Sequence, residues 1–222
     1  MGKSNGEAGI FVALYRTEGI VLRTRNLGEA DRIVTLLTKH EGKVQGVANG
    51  ARRMRSRLTS LGQPFIYGNF LLFRGKNMDR LSQGEIIKAY QPLREDLGLM
   101  ALATYFAELV DTFVQERDPQ ENVFHLLLRT FDYMMELGPS QNLARYFELQ
   151  LLRDLGYQPV LDACVLCGCA QGPMGFGVSQ GGVVCGNCGP PTTSLLHPGT
   201  WEGLRNLSLG NIRMVNIFQP SP

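Results

Sequence analysis

Cys164, Cys167, Cys185 and Cys188 form two Cys-x-x-Cys pairs separated by seventeen residues. Two such pairs bring four thiolates to one tetrahedral ion, each pair held by a tight turn whose amides donate to sulfur. Glycines at 168, 186 and 189 stand where those turns need them. The set is closed, with four sulfurs and no open position, so it predicts structural zinc rather than a catalytic metal. Four thiolates also suit a single iron or an iron–sulfur cluster. Disulfides need an oxidising compartment. Two separate redox motifs should each follow a strand and open a helix, which neither pair does. Cys169 either stands beside the site or takes the place of Cys167. His197, nine residues past Cys188, reads as a surface or capping residue.

A second chemistry lies upstream. Arg52, Arg53, Arg55 and Arg57 occupy four of six consecutive positions. Guanidinium forks pair with phosphate oxygens and stack on bases, so such a loop suits backbone tracking rather than base reading. Arg16, Arg23, Arg25, Arg32, Lys39 and Lys43 lie in the same part of the chain, and Lys76, Arg80 and Lys88 follow. Residues 1–90 hold 15 basic against 7 acidic side chains, a balance of +8, while residues 91–222 stand at −6. This asymmetry points the first half at a polyanion. A solvated loop, or a dock for an acidic protein tail, is the alternative. Tyr15, Phe65, Tyr67, Phe70 and Phe73 are interleaved with these charges; most belong to a core, and any left exposed could stack on bases.

No catalytic set is visible. His40, His125 and His197 are far apart, and no phosphate-binding loop, nucleophile elbow or HExxH motif occurs. Glu29 and Asp31 lie among arginines, where ion pairing explains them. The expectation is a protein that is not an enzyme.

The elements that carry these residues change character along the chain. Five short strands are predicted, at Tyr15–Arg25, 33–38, Val44–Ala48, Pro64–Phe73 and Asp79–Tyr90, with Gly68 at a bulge or bend. Such strands suit a small closed or half-closed barrel. Apolar residues at helical spacing then predict a helix from Leu93 to Gln115. A second should open with Asp118 as cap and Pro119 at its first position and end at Gly138. A third should run from Ser140 to a stop at Gly156. Residues 159–198 are glycine-rich and cannot bury enough apolar surface unaided, so they need the metal staple. The longest apolar run, Ile10–Tyr15, is far short of a bilayer span, and no secretory signal is evident. No membrane partner and a cytoplasmic location are expected.

In this order the segments resemble the recombination mediator family RecO. The resemblance is carried by Tyr15–Leu22, Leu27–Thr38, the arginine segment with Leu61-Gly62-Gln63-Pro64-Phe65, and Leu149–Pro159 leading into Cys164-x-x-Cys167. It covers roughly residues 15–200. It implies an α+β multidomain chain: an extension over 1–14, an OB-fold barrel over 15–91, a helical domain over 92–158, a four-cysteine zinc region over 159–198 and a helical segment over 199–222. It also implies binding of single- and double-stranded DNA, annealing of complementary strands, and loading of RecA onto DNA coated by single-strand-binding protein. The implied partners are RecR and that protein's acidic C-terminal tail, with the protein near the nucleoid. Family members generally continue past the position of Pro222 with a helical stretch and a basic, apolar tail, so the chain is expected to be truncated or a short member. The competing expectation is an adaptor of translation or transcription built from an OB-fold and a zinc ribbon.

Overall fold

The computed structural model describes residues 13–54, 56–190, 193–210, 212 and 215. The chain divides into two compact units, Met1–Phe124 and His125–Pro222.

In the first unit, β1 (Leu14–Leu27), β2 (Asp31–Thr38), β3 (Gly42–Ala48), β4 (Tyr67–Phe73) and β5 (Asp79–Lys88) close a barrel in the order β1-β2-β3-β5-β4. All neighbours are antiparallel except β3 and β5. This is the five-stranded OB-fold that the resemblance implied. Inward residues alternate along each strand: Val21, Val34, Leu36, Val44, Phe70 and Leu72 are all buried in one interior cluster. α1 (Leu58–Leu61) sends Leu61 into that cluster. The register slips between Tyr67 and Gly68, and a Cβ on Gly68 would lie 2.3 Å from the Glu85 carbonyl oxygen, so only glycine fits there.

A polar plug sits in the barrel. Asp79, its side chain fully buried, accepts from the Tyr15 hydroxyl, from Arg117 Nη2 at 2.6 Å and from the Gly75 amide at 3.0 Å. Burial alone would raise the Asp79 pKa, but the donors Arg117, Tyr15 and Gly75 overrule it and hold the carboxyl below its usual range. Burial and the hydrogen bond to Asp79 push Tyr15 up to about 12. The carboxylate's contribution is present above an unfolded pKa of about 4 and is lost as pH falls through the lower folded value. The phenol's contribution is full below about pH 10 and is lost as pH rises toward the folded value. Asp79→Ala should cost about 3 kcal/mol in urea unfolding at pH 7, by stranding the Arg117 charge and the Tyr15 hydroxyl. The difference from the parent should vanish in strong acid. An unchanged midpoint at pH 7 would dismiss the plug.

The expected first helix is two. α2 (Pro92–Glu95) stops at Asp96, whose extended backbone breaks the run and whose carboxylate accepts from Leu99 N at 2.8 Å to cap α3 (Leu97–Phe113). The expected start of the next helix also needs correction. α4 is Glu121–Leu137, and Asp118-Pro119 lies before it. Arg117 has φ +61 and donates its amide to Lys43 O, which pins Asp118 against Gly42 and holds it out of a cap.

In the second unit, Ser140 caps α5 (Gln141–Asp154) as expected, and Gly156, at φ +84, ends it through an amide bond to Arg153 O. The hairpin β6 (Met174–Gly177) and β7 (Gly182–Cys185) precedes α6 (Pro198–Ser208), which His197 caps from its ring nitrogen. Gln150 is buried on α5 and donates to the Leu207 and Ser208 carbonyls, tying α5 to the end of α6. Among the described residues no helix is long and apolar enough to cross a membrane.

Candidate metal centre and nucleic-acid interface

The β6–β7 hairpin and the turn before it position the four cysteines. Val165 N bonds to Val183 O at 2.9 Å, so the first knuckle docks beside β7, whose last residue is Cys185. In that knuckle Gly168 N returns to Cys164 O at 2.8 Å; in the second, Cys188 N and Gly189 N both return to Cys185 O. The four sulfurs lie within 4.8 Å of one another, and those of Cys167 and Cys185 are 3.7 Å apart. A tetrahedral ion with metal–sulfur bonds of roughly 2.3 Å separates its ligands by about 3.8 Å, so these residues fit a metal. Cys169 is not in this group; its thiol is exposed and bonds to Gln171 O.

The donor set also behaves as a cation site should. Amides of Cys185, Leu166 and Cys167 draw the Cys164 thiol down to about 6 against the opposing cost of burial. Cys188 is pushed up to about 12 by its hydrogen bonds to Cys167 and Cys185. Four thiolates so close cannot all be ionised without a compensating ion.

The arginines gather elsewhere, at the end of the barrel that holds the β1–β2 turn. Gly50 N bonds to Asp31 Oδ1 at 2.7 Å, Arg52 N to Ala30 O at 2.9 Å and Arg52 Nη1 to Gly28 O at 2.9 Å. Ala51 is buried in the interior cluster and anchors the loop. These contacts leave Arg52 and Arg53 exposed at the barrel end toward which β1 carries the exposed Arg25, while Met54 stands fully in solvent. Arg32 pairs with Asn26 and Ala48 in the ladders, and its Nε is buried without a hydrogen-bond partner. Arg57 is exposed, and Arg55 lies outside the described residues.

The other cations singled out in the sequence lie apart from that end. Arg23 and Lys43 both pair with Asp111, and Lys39 pairs with Glu121. Arg16 lines a separate 170 Å³ pocket on the outer face of β1, β4 and β5. Phe65 and Phe70 are buried, Tyr67 donates to Glu18, Tyr15 belongs to the plug, and Arg80 covers the half-buried Phe73. Sequence reasoning missed the acidic partners Asp111 and Glu121, which lie far away in the chain with no local signal.

Comparison with known proteins covers both parts of the chain. The family model described as recombination protein O N terminal matches residues 12–90, and that for its C terminal matches residues 94–220. The chain is 42% identical to the DNA repair protein RecO of Symbiobacterium thermophilum, covering 95% of this chain and 86% of that protein. It is 42% identical to that of Pelotomaculum thermopropionicum over 79% of this chain and 68% of that protein. For Bacillus subtilis the identity is 38%, over 79% and 69%.

Proposed function

The chain belongs to the RecO family, and from that premise we propose that it is a DNA repair and homologous-recombination mediator, not an enzyme. It binds single- and double-stranded DNA, anneals complementary strands and helps load RecA where single-strand-binding protein coats the DNA. RecR and the acidic tail of that coating protein are its partners, and it works in the cytoplasm on the nucleoid. The observation that carries the DNA surface is the convergence of Arg25, Arg32, Arg52 and Arg53 at one end of the barrel, with Arg32 Nε buried and unpartnered. Arg57 adds to this charge, Arg55 is assigned to the surface by its place in the sequence alone, and Arg16 is a separate cation on the outer face of β1, β4 and β5. Arg23, Lys39 and Lys43 are committed to carboxylates and contribute less.

Zinc is the ion assigned to Cys164, Cys167, Cys185 and Cys188. A closed tetrahedral set of four sulfurs matches a d¹⁰ ion with no open position. Its contribution when bound is to hold the fold. The barrel over 15–91, the helices over 92–158, the cysteine region over 159–198 and the segment over 199–222 are the working divisions.

The test is annealing of two complementary oligonucleotides, one coated with single-strand-binding protein, with and without RecR. Acceleration well above the spontaneous rate is expected. DNA binding without any acceleration would favour an adaptor instead.

A further inference from the structure

We infer that Asp111 and Glu116 determine where a polynucleotide can lie on this barrel: they close the outer face of β1, β2 and β3 and confine the strand to the arginine end. This rests on the DNA-binding reading above. Barrels of this type hold oligonucleotides over strands 2 and 3, between the β1–β2 and β4–β5 loops. In this chain the outward side chains of that face fall into three rows by register, Ile20–Leu37–Lys43, Arg23–Thr35–Gln45 and Arg25–Ile33–Val47.

The first row is sealed. Ile20 and Leu37 are completely buried outside the barrel's interior cluster, and Lys43 is 8% exposed. α3 contacts β1 on this side. The second row carries two groups able to meet a phosphate, and each is taken by an acid. Arg23 Nε pairs with Asp111 Oδ2, and Gln45 Nε2 donates to Glu116 Oε1 at 2.6 Å. Asp111 Oδ1 also holds Lys43 Nζ, at 3.2 Å. Glu121 continues the line by pairing with Lys39 at 3.5 Å. Only the third row offers a cation without an acidic partner among the described residues: Arg25, at the arginine end.

The carboxylates therefore stand where phosphates would have to stand. A phosphate approaching Arg23 meets Asp111 at near-contact distance, where two like charges near a protein surface repel by a few kcal/mol, on the order of 4 at 4 Å. The Glu116 backbone bridges to β3 at Lys43, and the neighbouring Arg117 amide bonds to Lys43 O, so these acids are built into the barrel wall rather than hung on a mobile arm. The expected footprint is short, toward the low end of the roughly 4–16 nucleotides that one such barrel covers.

The experiment uses the full chain carrying Asp111→Asn and Glu116→Gln, which keep shape and hydrogen bonding but remove charge. Binding to oligo-dT is titrated at several salt concentrations, and the occluded site size is read from stoichiometric titration. Each cation released should tighten binding about fivefold at 0.1 M salt and steepen the log–log salt slope by about 0.7. The occluded site should lengthen. Wild-type slope and site size in the double variant would overturn the inference. So would an equal gain in a charge-matched control, Glu136→Gln with Glu202→Gln, two exposed acids of the C-terminal unit. If the double variant fails to fold, Glu116→Gln alone, at an exposed position, should still lengthen the site, and no change in it counts against the inference. The underlying reading fails differently, by absence of wild-type binding or by indifference to loss of the arginines at the barrel end.

Discussion

Replacing Arg25, Arg32, Arg52 and Arg53 together by alanine weakens binding to single-stranded DNA by roughly several hundred-fold at 0.1 M salt and lowers the log–log salt slope by about 2.8. Both figures follow from releasing about 0.7 counterion per phosphate contact, for four contacts. The loss should be nearly the same for every base sequence, because guanidinium–phosphate contacts position a strand without reading it. Arg32→Ala alone should weaken binding about fivefold at 0.1 M salt, one phosphate contact's share. Arg52→Lys should keep most of the salt slope while losing affinity, because an ammonium cannot reproduce the fork that also holds Gly28 O. Anisotropy titrations between 0.05 and 0.3 M salt (about a sixfold span) separate these outcomes. An unchanged slope in the quadruple variant would remove this end of the barrel from the DNA surface.

That charge distribution was only half legible in the sequence. The excess of +8 over residues 1–90 pointed to a polyanion, but composition does not say which cations already have partners. Arg23 finds Asp111 88 positions away and Lys43 finds it 68 positions away, through packing that no local pattern announces. The strands were easier, because period-two alternation and turn glycines are local. Their ends moved where the backbone did something unusual. β4 begins at Tyr67 rather than Pro64, because Phe65 takes φ +67 and its amide bonds to Val21 O. β5 ends at Lys88, just before Tyr90 with φ +46. The break at Asp96 was missed for a different reason: the apolar spacing runs on through it, and only a capping contact shows that one periodic stretch is two helices. The cysteine cluster lay at the other extreme. Spacing within each pair fixes a turn, and the turn fixes the sulfurs, so little tertiary information was needed.

The same locality makes the cysteine site the place where one atom should matter most. Cys164 and Cys185 are both buried members of the small core that also holds Leu161, Met174, Val183 and Val184. The strands they brace are a two-stranded hairpin of four residues each, which is marginal in water without support. Structural zinc contributes on the order of 10–16 kcal/mol of apparent binding energy to small zinc-dependent folds, far more than this core supplies by burial. Cys185→Ser, or chelation of the native protein, should therefore release the metal and open residues 159–196 to proteolysis. α6 should loosen with them, since Trp201 and Leu204 pack on that core and the Trp201 indole donates to Leu161 O at 2.7 Å. The barrel lies in the other unit and has its own core, so DNA binding through the arginine end should survive. Cys169→Ser should leave metal content unchanged, because its sulfur stands outside the group of four. Elemental analysis should find one zinc per chain and no iron. Native protein without metal, or a Cys185→Ser variant with wild-type proteolytic resistance, would mean that the thiols hold this region together by packing alone.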